Sequence, residues 1–284
     1  IKYVGATPVF VVVEPLNWCI DPTLLDGART EKTKGIIAVD LYGHPADYDA
    51  LNKFAEKHSL WVIEDAAEAH GALYKGKPVG GLADIGTFSF FGNKILTSGE
   101  GGAVTTNCTD LAQKMLMIKG QGMDPQRRYF FPIIGHNFRI TNLACAILCG
   151  QIERCDEIYS KRRSVFTRYK ENLQDVKGVI QQPVSSWAVA APWLYSILID
   201  EAQYGHSRDE LMQYLSKNGV DTRPFFIPIH SLPPYVEEAK ARKTILPVTD
   251  KLASAGINLP TSNILKKQDI DFICTLIRNF AKAR

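Results

Sequence analysis

Apolar runs and one amphipathic segment alternate in the first part of the chain. The run over residues 9–13 predicts a buried strand, and the runs over 36–41 and 60–64 predict two more. Between the last two, apolar residues recur at helical spacing after Asp47, a residue type that favours the first position of a helix. Strand, helix and strand in this order predict a parallel sheet. Asp65 directly follows the third strand, at the edge of the sheet where ligands bind in such folds.

The rest of the chain continues with strands and helices in turn. Strands are predicted over residues 85–90, 103–106 and 193–199, and helices over 110–118, 141–172, 208–218 and 267–280. Ser207 and Glu210 form a capping box before the 208–218 helix. Residues 120–139 show no clear period, and a loop of this length within a domain is typically functional or binds a partner. We place a domain boundary inside the long helix, which gives domains 1–165 and 166–284.

Composition and charge narrow the class of protein. The chain has 284 residues, of which 45% are hydrophobic and 22% are charged, as is typical of globular proteins. A net charge of +3 without basic runs argues against a nucleic-acid partner, and no apolar run is long enough for a membrane span. Six cysteines without a Cys-x-x-Cys pair indicate a reducing cytoplasm. Cys145 and Cys149 could share a metal, but small residues on a buried helix face are the simpler interpretation, so we expect no metal.

Lys94 lies in a loop of small and polar residues directly after a predicted strand. Apolar neighbours can bury part of its side chain, which lowers the pKa of the amine and makes it a usable nucleophile and base. Most lysines in loops are simply solvated, so Lys94 alone does not decide the function. Together, Lys94 and Asp65 supply the two residues that a pyridoxal phosphate (PLP) enzyme needs most. The lysine forms a Schiff base, and the acid keeps the pyridine nitrogen protonated.

The other polar residues near these positions have both structural and functional interpretations. Asp65 could equally be an N-cap or an ion-pair partner. Glu68 is either a first-turn acid that complements a helix dipole or a partner for the cofactor's ring oxygen, and His70 is ambiguous in the same way. Ser89 either binds phosphate or satisfies a nearby backbone group. The glycine clusters near residues 100 and 121 lack the strand–GxGxxG–helix context of a dinucleotide site, which argues against a nicotinamide enzyme.

Four motifs occur in order along the chain, at residues 64–71, 88–102, 135–142 and 222–230. They resemble the cofactor-ring segment, the Schiff-base lysine segment, the Gly-aromatic-Asn-aromatic-Arg segment and the C-terminal substrate segment of the DegT/DnrJ/EryC1/StrS family of PLP-dependent sugar aminotransferases. The resemblance covers nearly the whole chain. Within the family, residues 127–130 are most similar to the branch that aminates GDP-4-keto-6-deoxymannose to GDP-perosamine.

This resemblance implies a fold type I PLP-dependent transferase. Such a protein is α/β, with a mixed, mostly parallel sheet between helices and a smaller C-terminal α/β domain. The resemblance also implies a cytoplasmic homodimer with two shared active sites. The implied reaction moves an amino group from glutamate to a keto nucleotide sugar, in the synthesis of surface polysaccharides such as O-antigen or of glycosylated natural products.

The resemblance further implies a role for each matching side chain. Lys94 would be the Schiff-base lysine and proton shuttle, Asp65 would pair with the pyridine nitrogen, and Glu68 would lie near the ring hydroxyl. Ser89 would bind the cofactor phosphate, and Asn137 would reach the phosphate of the cofactor held by the partner subunit. The implied substrate-binding residues are Arg139, Arg223 and His230, and Arg139 would also organise the interface loop.

Two departures from the family pattern keep alternatives open. His136 stands where the family usually has Tyr or Phe, which leaves a stacking role there open. Family members also carry strand–helix units before the segment that matches the start of this chain. We therefore expect an N-terminally incomplete chain, without the phosphate-binding turn of those units. The alternatives are an inactive fragment that serves as a structural dimer partner, or a dehydratase, a branch in which histidine replaces the lysine. Lys94 favours transamination.

Overall fold

The computed structural model describes residues 1–282, and α-helices are distributed along this part of the chain. The α-helices of this part are α1 (Leu25–Ala28), α2 (Tyr48–Lys57), α3 (Thr109–Lys119), α4 (Asn142–Glu153), α5 (Cys155–Leu173), α6 (Glu201–Tyr204), α7 (Arg208–Lys217), α8 (Val236–Ala241), α9 (Pro247–Ala255) and α10 (Lys267–Lys282). None of these helices is both long and apolar enough to cross a membrane.

The strands form three sheets. They are β1 (Gly35–Val39), β2 (Trp61–Asp65), β3 (Leu73–Tyr74), β4 (Lys77–Pro78), β5 (Ile85–Ser89), β6 (Gly102–Thr105), β7 (Val179–Gln181), β8 (Ala188–Val189), β9 (Tyr195–Ile199), β10 (Arg223–Pro224) and β11 (Gly256–Leu259). The first sheet has the order β1-β2-β5-β6, in which only β6 is antiparallel to its neighbour. The second sheet, β10-β11-β9-β7, is antiparallel, and β4-β3-β8 form a small third sheet.

The predicted strand–helix–strand unit is present as β1, α2 and β2. The side chain of Asp47 accepts a hydrogen bond from the backbone N–H of Ala50 and caps α2, as expected from its residue type. The buried face of α2 packs Leu51 against the first sheet, in a cluster that includes Ala38 and Val62. Because β1, β2 and β5 run in parallel, their carboxyl ends meet at one edge of the sheet.

Helix α5 connects two regions of the hydrophobic core. Ile158, near its start, belongs to a cluster that lies around the carboxyl ends of the first sheet and includes Trp193. Val165 and Tyr169 belong to a second cluster, which β9, β11, α7 and α10 complete. The change from one cluster to the other falls close to residue 165, but the division into domains at that residue stays a prediction.

Three expectations from the sequence differ from the structure. Residues 9–13 form no strand but only an isolated bridge between Val13 and Ile20, because no neighbouring strand pairs with the run. The long helix is interrupted at Arg154, which has non-helical φ and ψ and pairs its side chain with Glu157 of the next turn. The expected burial of α4 was also wrong for the single chain, in which Cys149 is exposed.

Gly43 occupies a tight contact that no other residue type fits. The φ of Gly43 is +90°, and a Cβ at this position would overlap the backbone oxygen of Ala191. Ala191 lies close because its backbone N–H donates a hydrogen bond to Gly43 O at 2.8 Å. We expect Gly43→Ala to lower the free energy of unfolding by about 3 kcal/mol, from left-handed strain and overlap together. Gly76→Ala is the matched control, since its φ is +79° but the space around it is open. Urea denaturation should show a loss of only about 1 kcal/mol for the control, and equal losses would contradict the overlap.

Candidate active site

The carboxyl ends of β2 and β5 place two polar side chains at the same edge of the first sheet. Asp65 ends β2, and its Oδ1 accepts hydrogen bonds from the N–H of Ala67 at 3.1 Å and from the hydroxyl of Thr87 at 3.3 Å. Ser89 ends β5, and its hydroxyl accepts a bond from the N–H of Phe91 at 3.3 Å. The predicted strand-end position of Asp65 is therefore confirmed, whereas the strand predicted over residues 85–90 ends one residue earlier, at Ser89.

Lys94 lies in the turn that follows β5 and points its amine into the protein. The turn is closed by a bond from the N–H of Lys94 to Phe91 O at 3.0 Å. The amine nitrogen Nζ lies 4.1 Å from the ring centroid of Trp193. Burial lowers the pKa of Lys94, while the nearby charges of Glu68 and Asp65 act in the opposite direction. The structure thus places Lys94, Glu68 and Asp65 close enough for their charges to interact.

The carboxyl group of Glu68 is buried and is held by a hydrogen bond from the backbone. Its Oε2 accepts a hydrogen bond from the backbone N–H of Tyr42 at 2.7 Å. Burial raises the pKa of Glu68 to about 7, against the lowering effects of that bond and of Lys94. A carboxyl group that titrates near neutral pH can exchange a proton with a neighbouring group without a large energy difference.

His70 is buried next to the turn formed by residues 91–94, here called the lysine turn. One nitrogen of its ring has no hydrogen-bond partner among the described residues. Its Nδ1 accepts a bond from the N–H of Leu96 at 3.4 Å, which places the ring proton on Nε2, and Nε2 is the atom without a partner. Burial and the nearby charge of Lys94 lower the pKa of His70 to about 4, so the ring is neutral at pH 7. The rings of Phe88 and Phe90 flank it at 5.6 and 5.7 Å.

Four predicted residues lie apart from the group around Lys94 in the single chain. Asn137 and Arg139 are exposed on the segment between α3 and α4, where Asn137 forms a bridge with Gly120. Arg223 is exposed and pairs with Asp221, and His230 lies 3.1 Å from Asp250 Oδ1. The unusual residue of this segment, His136, stacks on the ring of Phe138 at 4.8 Å.

Two residues of the site carried no signal in the sequence. Tyr42 supplies the N–H that binds Glu68, and Trp193 supplies the ring beneath the amine of Lys94. Their rings stack on each other at 6.3 Å. Both sit beside strands, where an aromatic residue is typical of any core, and Trp193 is distant from Lys94 along the chain. Only the folded structure shows that they contact the site.

The side chains of this site fit PLP. Lys94 offers a half-buried amine for a covalent bond, and Asp65 offers a carboxylate at the strand end for the ring nitrogen. Glu68 offers a second carboxyl group close to the amine, and Ser89 offers a hydroxyl at the end of the adjacent strand. This donor set at the carboxyl edge of a mixed, mostly parallel sheet defines a PLP-dependent transferase of fold type I.

Comparison with known proteins identifies the family. The sequence profile of the DegT/DnrJ/EryC1/StrS aminotransferase family matches residues 1–278. The chain belongs to this family, and it is a PLP-dependent nucleotide-sugar aminotransferase. The predicted family, fold class and cofactor are confirmed.

Curated and solved relatives agree with this assignment. The chain is 43% identical to GDP-perosamine synthase of Caulobacter vibrioides, over 95% of this chain and 72% of that protein. It is 40% identical to GDP-perosamine synthase of Escherichia coli O157:H7, over 99% of this chain and 74% of that protein. The structure of Helicobacter pylori PseC, an aminotransferase involved in the biosynthesis of pseudoaminic acid, superposes with a TM-score of 0.92 at 27% identity, covering 100% of this chain and 76% of that one.

The raised pKa of Glu68 predicts a pH-dependent loss of stability. The folded chain holds this proton up to about pH 7, whereas the unfolded chain releases it near pH 4.5, so folding stability falls as the pH rises between these values. Glu68→Gln keeps the acceptor for Tyr42 but cannot ionise. Its unfolding free energy should therefore rise relative to wild type by about 3 kcal/mol from pH 4.5 to 8, measured by urea denaturation without cofactor.

Glu157→Gln tests the sign of this effect. The pKa of Glu157 is lowered to about 2 by the side chains of Arg154 and Lys161, so the folded chain releases this proton earlier than the unfolded chain. This variant should lose stability relative to wild type as the pH rises from about 2 to the unfolded value near 4.5, the reverse of Glu68→Gln. A Glu68→Gln difference that is constant with pH would show that Glu68 is ionised in the folded chain throughout the range.

Proposed function

We propose that this aminotransferase transfers the amino group of glutamate to the C4 carbonyl of GDP-4-keto-6-deoxymannose, giving GDP-perosamine and 2-oxoglutarate. The sequence identity of 43% and 40% to two GDP-perosamine synthases, each over nearly the whole chain, carries the choice of substrate. The half-buried amine of Lys94 beside Glu68 and Asp65 supports the reaction type, because transamination needs a base that can move a proton between two carbon atoms.

In this proposal each residue of the group has one task. PLP, when bound, supplies the aldehyde that carries the amino group and the ring that withdraws electrons from the reacting carbon. Lys94 Nζ removes the proton from the α-carbon of glutamate and later delivers a proton to the C4 carbon of the sugar. Asp65 holds the proton on the ring nitrogen, Glu68 binds the ring hydroxyl, and Ser89 binds the phosphate.

The remaining predicted residues are proposed to act in a homodimer. Apolar side chains of α3, the following loop and α4 are exposed in the single chain, and large exposed apolar side chains in one region of the chain favour a protein interface. Its members are Leu116, Phe130, Phe131, Ile134, Phe138, Leu143, Ile147 and Ile152. Asn137 and Arg139 lie in this surface, so they can reach the partner's site, with Asn137 at the cofactor phosphate. Arg223 and His230 are proposed to bind substrate.

The proposal also includes the place of the reaction in the cell. A GDP-linked amino sugar is a precursor for surface polysaccharides such as O-antigen, and its synthesis is expected in the cytoplasm. The six cysteines are free in the structure, in agreement with a reducing compartment.

A panel of keto sugars tests the substrate. The full chain, supplied with PLP and glutamate, is incubated with GDP-4-keto-6-deoxymannose and with 4-keto-6-deoxyglucose linked to dTDP or to UDP. We expect the amino sugar to form only from the GDP-linked substrate, or to form from it at least about tenfold faster than from the others. Mass spectrometry detects the amino sugar and the 2-oxoglutarate. Faster turnover of a dTDP- or UDP-linked sugar would contradict the proposed substrate, and loss of the sugar's hydroxyl without gain of nitrogen would contradict transamination.

A further inference from the structure

Trp193 makes one contact with the amine of Lys94 and another with the backbone of the preceding residue. The indole Nε1–H donates a hydrogen bond to the backbone oxygen of Asn93 at 2.9 Å, immediately before the lysine. The face of the same ring lies under the lysine amine, with 4.1 Å between Nζ and the ring centroid. We propose that Trp193 is the positioning residue of Lys94, fixing the backbone of the lysine turn with its indole N–H and the amine with its ring face.

Trp193 is itself held in place from two sides, as a positioning residue must be. Its backbone oxygen accepts a bond at 3.0 Å from Nη1 of Arg162, a side chain of α5 whose Nη1 also donates to Thr261 O at 3.3 Å. The ring of Tyr42 stacks on its ring, and only 2% of Trp193 is exposed. Since backbone and ring are both fixed, movement of the indole would disturb α5 and the aromatic cluster together.

The ring face also has an electrostatic effect on the amine. The face of an indole carries negative partial charge and favours the ammonium form, most strongly where water is excluded. The titratable groups that act on the amine are Glu68 and Asp65, which favour its charged form. His70, from the same segment, is neutral at pH 7 and interacts with the lysine only when charged. Trp193 adds a contribution that does not change with pH, because the indole does not titrate.

This inference rests on the proposed role of Lys94, and its test uses a readout that does not depend on turnover. In the full chain without cofactor, trace acetylation of Lys94 is followed by mass spectrometry as a function of pH, which gives the pKa of the amine. Trp193→Leu removes the ring and should lower this pKa by about one unit. Trp193→Phe keeps a ring face and loses the N–H, so it should shift the pKa by less than about 0.5 units.

Activity with PLP bound then tests the indole N–H. We expect Trp193→Phe to lower kcat about tenfold, because the turn is less well fixed, with KM for the nucleotide sugar unchanged. Trp187→Phe is the matched control. Its ring packs on Tyr74 and His44 at 5.0 and 5.3 Å, away from the lysine, so both kcat and the titration of Lys94 should stay at wild-type values.

The possible outcomes separate this inference from the proposed function. If reduction with borohydride fails to trap PLP on Lys94 of the wild-type chain, the proposed role of Lys94 is wrong. If trapping succeeds but Lys94 titrates as in wild type in folded Trp193→Leu, the positioning role is wrong. If Trp193→Leu fails to fold by circular dichroism, Trp193→Phe decides, and a kcat equal to that of Trp187→Phe overturns the inference.

Discussion

Replacement of Lys94 by alanine should lower kcat for transamination by at least about a thousandfold. Among the described residues, Lys94 supplies the only amine beside Asp65 and Glu68. General acid–base catalysis by one positioned group contributes roughly 10²–10⁴-fold to the rate. The covalent bond to PLP that is proposed for Lys94 would be lost as well. Stopped-flow absorbance with glutamate, and borohydride trapping followed by peptide mass spectrometry, measure the two losses separately.

Lys75→Ala is the matched control for this change. Lys75 is exposed and its Nζ pairs with Asp49 at 2.5 Å, on a turn of the small sheet. Its removal should leave kcat and trapping at wild-type values. Small amines added to Lys94→Ala should restore part of the proton transfer, since they can enter the space that the side chain leaves. Full turnover by Lys94→Ala without added amine would rule out the proposed role of the lysine.

Replacement of Asp65 by asparagine should lower kcat by about 10²–10³-fold. Asparagine keeps an oxygen that can accept from Ala67 and Thr87, so the end of β2 should stay in place. It would remove the negative charge that is proposed to keep the ring nitrogen of bound PLP protonated, and with it the electron withdrawal that the ring would supply. Single-turnover kinetics with glutamate isolates this effect from binding of the sugar.

A second measurement distinguishes loss of charge from loss of structure in Asp65→Asn. The carboxylate favours the charged form of Lys94, so the pKa of Lys94 should fall in the variant, as trace acetylation would show. Asp49→Asn removes an exposed carboxylate of α2 and should change neither the rate nor this pKa. Wild-type turnover of Asp65→Asn would mean that another group protonates the ring nitrogen.

The local parts of the site could be predicted from the sequence. Asp65 follows an apolar run that predicts a strand, Ser89 lies in a second predicted strand, and parallel pairing brings the carboxyl ends of the two strands to one edge. Ser207 and Glu210 form the expected capping box, with both side-chain bonds present. These features depend on residues within a few positions of each other, or on a strand–helix–strand order that allows few topologies.

The rest of the site depends on contacts between distant residues, which a single sequence does not show. Trp193 meets Lys94 only because the second half of the chain folds back onto the first sheet. The raised pKa of Glu68 likewise results from burial by groups that are not its neighbours in sequence. Residues 9–13 show the opposite error, since a β-branched run predicts a strand even where no neighbouring strand pairs with it.

The continuity of α5 limits how substrates can enter. Its 19 residues form a rod about 28 Å long, with Ile158 fixed in the cluster beside the lysine turn and Val165 fixed in the cluster of the second sheet. A hinge between these two regions would have to bend the rod and break backbone hydrogen bonds in its middle. Opening and closing of the site should therefore be carried by loops, while the two halves of the chain move as one body.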